Sequence, residues 1–176
     1  MSTPKQRLNY ITTAAVIAAI YAGLTYLGNF FGLSYGPIQV RFSEALTILP
    51  LFTPAAIPGL TIGCFIANIG SFNPIDMIFG TFATFLAAVL TYLTRKIIFK
   101  KLPLFPLLFP VIINAFIIGL ELAIFYLNGF TFLGFAIAAF EVGTGQLIAC
   151  YGLGLPLYFT LKGKKFSKLN IFKAEE

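Results

Sequence analysis

The chain has 176 residues, of which 59% are hydrophobic and 10% charged, and a formal net charge of +6. A soluble domain of this composition would lack the polar surface to cover its core, so residues 1–176 read as a single integral membrane domain. Histidine is absent, which removes the commonest metal ligand and general base, and Cys64 and Cys150 lie in apolar stretches as small buried hydrophobes.

Lys5 and Arg7 form a first basic clump, and residues 8–27 follow as an apolar run of the roughly 20 residues that a crossing needs. A basic start before an apolar run also suits a signal peptide, but the stretches that follow are equally membrane-like. Within this run Ala14, Ala18 and Ala22 recur at every fourth position, as do Ala15, Ala19 and Gly23. Two adjacent small stripes let another helix approach closely. Packing inside the bundle and docking of a separate membrane subunit fit this pattern equally.

Gly28, Gly32, Gly36 and Pro37 then break the pattern, which predicts an outside loop over residues 29–41. Pro50, Pro54 and Pro58 and the turn at residues 70–74 divide the next stretch into spans at 42–52, 54–70 and 74–94. The first of these is too short to face lipid and is expected to be buried in protein or to line a cavity. Gly59, Gly63 and Ala67 repeat the small stripe on the third span. Arg95, Lys96, Lys100 and Lys101 form a second basic clump, and spans at 103–127 and 131–161 lead to a third of Lys162, Lys164, Lys165, Lys168 and Lys173. Basic residues flanking spans stay in the cytoplasm. The expectation is an all-α membrane protein with six transmembrane helices and both termini cytoplasmic, multi-pass in a bacterial-type plasma membrane. Its positive charge then meets anionic headgroups in the lipid bilayer, not nucleic acid.

Apart from the tail residues Glu175 and Glu176, the acids are Glu44, Asp76, Glu121 and Glu141, all within membrane segments. An ionisable group there costs several kcal/mol unless solvated or paired, so each is a functional candidate. Arg41 lies one helical turn before Glu44 and suits a salt bridge to it. With the loops placed as above, all four acids fall in the outer half and would make an electronegative cavity open to the outside. Asn114, Glu121 and Asn128 recur every seventh residue and share a helix face, as do Asp76, Gly80, Ala83 and Ala87. Glu141 and Gln146 are five apart and should not both point into one cavity unless Gly143 and Gly145 bend the helix. Such a cavity suits a small cationic or donor-rich ring, read by carboxylates through paired hydrogen bonds and stacked on aromatics. Phe42, Phe72, Phe79, Tyr126 and Phe140 lie near the proposed outer ends.

No phosphate-binding loop occurs, because Gly143-Thr144-Gly145 lacks the lysine and sits inside a span. No serine, histidine and aspartate set and no metal-ligand cluster is present, so no catalytic residue, metal or cofactor is expected. The residues alone indicate a membrane binder or transporter of a small molecule. An autonomous proton-coupled carrier, with Glu121 or Asp76 titrating during transport, is the rival reading.

The run GPIQVRFSEALTILPLF at residues 36–52 resembles the signature region of the queuosine-precursor transporter family. These are substrate-binding S-components of energy-coupling factor (ECF) transporters. The resemblance continues through PGLTIGCFIAN at 58–68, DMIFG at 76–80, residues 114–121 and GLGLP at 152–156. It implies a six-helix S-component bundle and an outer substrate site drawn from Glu121, Asn114, Asp76, Glu141, Glu44, Arg41, Asn68 and Gln146. It also implies docking to a membrane coupling subunit that carries two cytoplasmic ATPases. The stripe Ala14, Ala18 and Ala22 is similar to the alanine motif used for that docking. The implied substrate is a 7-deazaguanine, in first place the 7-aminomethyl form (preQ1), with another vitamin-like ligand as the alternative. On this reading Glu121, with Asn114 below it, reads the polar edge of the deazapurine. One departure is that members of the family tend to carry glutamate where this chain has Gln146.

Overall fold

The computed structural model describes residues 3–32, 41–69, 74–127 and 129–163, and in these the chain is helical almost throughout. We number the elements α1 (Pro4–Phe30), α2 (Phe42–Leu51), α3 (Ala56–Ile69), α4 (Pro74–Leu93), α5 (Leu108–Phe125) and α6 (Phe132–Lys162). α1, α4, α5 and α6 are long and apolar enough to cross a membrane, whereas α2 and α3 are shorter apolar helices. Residues 33–40, 70–73 and 164–176, and Asn128, lie outside the description. Most of the loop expected at 29–41, most of the third basic clump and Asn128 of the shared helix face therefore fall there, while α1 continues to Phe30.

Each long helix carries local reasons for its limits. α1 begins with a capping box in which the Thr3 hydroxyl accepts from the Gln6 amide while the Gln6 side chain accepts from Thr3 N–H at 2.8 Å. Pro4 occupies the first turn, where its missing donor costs nothing. Between α4 and α5, Lys100 and Lys101 both adopt positive φ (47° and 69°) in a tight turn closed by the Phe99–Leu102 bridge. α6 contains a wider π-helical turn over Ile148–Leu153, soon after Gly143 and Gly145. Such turns release one carbonyl from the regular ladder and recur at functional sites.

α1 packs on α3, α3 on α4, α4 on α5 and α5 on α6, while α2 touches α1, α3, α4 and α6. Every side chain from Ser43 to Pro50 is buried, as a short proline-bounded segment requires. α2 is wound as a 3₁₀ helix for ten residues, far beyond the usual three or four. Around it, Ile17 and Tyr21 of α1, Leu46 and Leu49 of α2 and Leu60 and Cys64 of α3 form the main apolar core. The outside is apolar as well: Ile78 and Phe82 on α4, Ile112 and Phe116 on α5 and Phe132 and Phe140 on α6 are all exposed. A soluble protein does not present so continuous an apolar surface, whereas lipid accepts it. The start of α1 and the end of α6 share one end of the bundle, since Lys5 and Leu8 line a groove of about 620 Å³ with Leu157 and Leu161.

The small stripes of α1 divide in a way that periodicity left open. Ala14, Ala18 and Ala22 are buried, and the glycines of α3 sit against them. A Cβ added at Gly59 would stand 2.9 Å from the Ala14 carbonyl oxygen, so backbone touches backbone here. Of the two uses this stripe suits, packing inside the bundle is the one seen for Ala14, Ala18 and Ala22, since α3 occupies the close approach that their size permits. The second stripe of Ala15, Ala19 and Gly23 is exposed, with nothing near Gly23.

Candidate functional site

Polar residues from five helices meet beside α2. Glu44, at its first turn, is 2% exposed, and its carboxylate accepts a short hydrogen bond at Oε1 from the Tyr21 hydroxyl of α1. Its other oxygen, Oε2, completes no hydrogen bond among the described residues. Nearby, the hydroxyls of Thr25 on α1 and Ser43 on α2 pair at 2.8 Å. The Glu44 carbonyl accepts from the Thr47 hydroxyl at 2.6 Å, which fixes the turn that carries the carboxylate. Gln146 of α6 is buried with its amide beside the Glu44 carboxylate, and its Oε1 accepts weakly from the Cys150 thiol at 3.5 Å.

A second acidic group lies between α4 and α5. Glu121 is 1% exposed, and neither of its oxygens completes a hydrogen bond among the described residues. The Asp76 carboxyl of α4 lies next to it. Asp76 also meets the Tyr126 hydroxyl, a long donor at 3.5 Å, at the rim. The Asn68 amide of α3 donates to the Asp76 main-chain carbonyl at 3.0 Å, tying the start of α4 to α3. Gly80 makes room for that amide, since a Cβ there would stand 2.7 Å from Asn68 Nδ2. Phe79 and Phe125 stack obliquely with ring centroids 5.9 Å apart and offer aromatic surface beside the pair.

Arg41 joins the two groups. It lies within electrostatic reach of Glu44, Asp76 and Glu121, so one cation serves three carboxyls. Leaving a buried acceptor unpaired costs about 1–3 kcal/mol, and more when it is charged. Among the described residues, three oxygens on these two buried carboxyls complete no hydrogen bond.

A profile of the QueT transporter family matches residues 11–163. The chain belongs to this family. It is also 41% identical over 80 residues to the queuosine precursor transporter QueT of Lactococcus lactis subsp. cremoris (strain MG1363), which covers 46% of this chain and 47% of that protein. The matched stretch thus spans about half the length of this curated relative. No solved structure matches the chain. QueT is a family of transporters, and a bundle of apolar helices around a buried acidic cluster suits a membrane transport protein.

Within this QueT-family bundle the residues expected from sequence divide. Glu44, Asp76, Glu121, Arg41 and Gln146 come together as described. Asn114 is buried on the Glu121 face two turns away, but its amide donates to the Pro110 carbonyl at 2.8 Å. Asn68 braces α4 rather than standing open. Glu141 is partly exposed and makes no hydrogen bond or ion pair with the cluster among the described residues, whereas Gln146 of the same helix lies beside the Glu44 carboxylate. The salt bridge expected between Arg41 and Glu44 is replaced in direct contact by the Tyr21 hydroxyl, with Arg41 acting at longer range. Tyr21 escaped the sequence reading because one hydroxyl in an apolar run looks like any other aromatic of the core.

Proposed function

We propose that this protein is the substrate-binding S-component of an energy-coupling factor importer for a queuosine precursor, in first place 7-aminomethyl-7-deazaguanine. The observation that carries the reading is the buried carboxyl cluster of Glu44, Asp76 and Glu121 in a QueT-family chain. An amine-bearing guanine-like ring supplies the positive charge and the several N–H donors that these oxygens lack. The name of the Lactococcus lactis relative points the same way. The chain contributes no nucleotide-binding loop, so energy comes from two cytoplasmic ATPases through a membrane coupling subunit. Six helices cross the bilayer, the short α2 and α3 included, with both termini in the cytoplasm. The shared end of α1 and α6 and the basic residues there support this orientation. The exposed face of Ala15, Ala19 and Gly23 is the part of α1 left open for close approach by the coupling subunit.

Two measurements test this. Purified protein titrated with the aminomethyl deazaguanine should bind it, and vesicles should take it up only with the coupling subunit, the ATPases and ATP. Uptake that persists without the ATPases and collapses with the proton gradient would replace this reading with an autonomous carrier.

A further inference from the structure

The two carboxyl groups of the site are prepared differently. Glu44 has one oxygen occupied by the Tyr21 hydroxyl, so it presents a single acceptor, Oε2, with the Gln146 amide beside it. An amide both donates and accepts, so this pole matches a neutral edge that carries one N–H next to a carbonyl. Glu121 completes no hydrogen bond at either oxygen among the described residues, and a second carboxyl, Asp76, lies alongside it. Two adjacent carboxylates repel each other, and a cation placed between them relieves that repulsion whereas a neutral edge does not. Arg41 reaches both poles, which makes them parts of one site.

We propose that the site fixes the orientation of its ligand: an ammonium substituent enters between Glu121 and Asp76, and the neutral ring edge meets Glu44 and Gln146. Tyr21 is the positioning residue that enforces this by holding one Glu44 oxygen. The inference rests on the functional reading above and goes beyond it. It also reverses the sequence expectation that Glu121 reads the ring edge. A free carboxylate could take a donor edge through two parallel bonds, but that arrangement leaves Glu121 and Asp76 to share with Glu44 the single charge of Arg41.

The test compares the aminomethyl deazaguanine with its nitrile counterpart, which keeps the ring and lacks the charge. Purified wild-type protein should bind the amine at least about tenfold more tightly than the nitrile. Glu121→Gln and Asp76→Asn should each lower amine affinity about tenfold while changing nitrile affinity less than about threefold, so the discrimination collapses. Tyr21→Phe, which removes only the hydroxyl, should weaken both ligands by one common factor and leave their ratio at the wild-type value. If Tyr21→Phe does not fold, Glu44→Gln carries the same arm. Equal losses for both ligands in Glu121→Gln, or a changed ratio in Tyr21→Phe or Glu44→Gln, would overturn the orientation while leaving the transporter reading intact. Failure of the wild-type protein to bind either ligand would instead remove the functional reading itself.

Discussion

The carbonyl oxygen of Ala18 and the Cα of Gly63 meet so closely that a Cβ added at Gly63 would stand 2.9 Å from that oxygen and 2.8 Å from the Tyr21 Cβ. The neighbours are backbone and the base of a buried side chain, so they cannot swing aside. Gly63→Leu should therefore destabilise the protein by about 1–3 kcal/mol or more. Thermal unfolding in detergent would read this as a lower midpoint. Because Tyr21 would be displaced with α1, ligand affinity should fall as well. An unchanged midpoint would mean that α1 and α3 are not packed as described.

The two small stripes of α1 give opposite expectations for bulky substitution. Ala18→Trp enters a contact already filled by α3, so it should lose both folding and ligand binding. Ala19→Trp projects from the bundle and should leave binding by the purified protein within about twofold of wild type, since exposed substitutions typically change stability by no more than about 0.5 kcal/mol. If the coupling subunit docks on this face, ATP-driven uptake should nevertheless be lost. Normal uptake by Ala19→Trp would place the docking surface elsewhere.

At Gly80 the close neighbour is the end of the Asn68 side chain, 2.7 Å from an added Cβ. That amide can move, so Gly80→Ala should cost about 1 kcal/mol, the low end of the overpacking range. Moving it breaks the bond to the Asp76 carbonyl and loosens the start of α4. A several-fold loss of ligand affinity with only a modest fall in the unfolding midpoint, smaller than that of Gly63→Leu, is the expected result. A large fall in the midpoint would show that Asn68 has no room to give.

The tight turn at Lys100 and Lys101 gives access to the topology. A cysteine replacing Lys100, in a background without Cys64 and Cys150, should react with a membrane-impermeant thiol reagent only after the cells are opened. Reaction in intact cells would invert the orientation, and with it the placement of the acidic cluster toward the outside.

The sequence made several parts of this fold readable. Three prolines and a ten-residue length were enough to bury α2, because backbone interrupted by proline cannot face lipid. Carboxyl groups in apolar stretches exposed Glu44, Asp76 and Glu121, since their cost demands a use. The inward side of α1 stayed hidden because its two alanine stripes are chemically alike, and only the glycines of another helix decide between them. The choice of Gln146 over Glu141 stayed hidden too. It depends on which side of α6 faces Glu44, which spacing along the helix does not decide, and charge alone favoured the glutamate. Tyr21 was invisible for a different reason: its role comes from a partner 23 positions away, on another helix.

The winding of α2 sets how far it reaches. A 3₁₀ helix advances about 2.0 Å per residue against about 1.5 Å for an α-helix, so Phe42–Leu51 stretches over about 20 Å where an α-helix of equal length would cover about 15 Å. With three residues per turn, removing one residue rotates everything beyond it by about 120°. Since every side chain from Ser43 to Pro50 is enclosed by neighbours, no arc of this segment can take such a rotation without collision. Natural variation in α2 should accordingly be confined to swaps of equal volume, with its length held fixed while the loops around it drift.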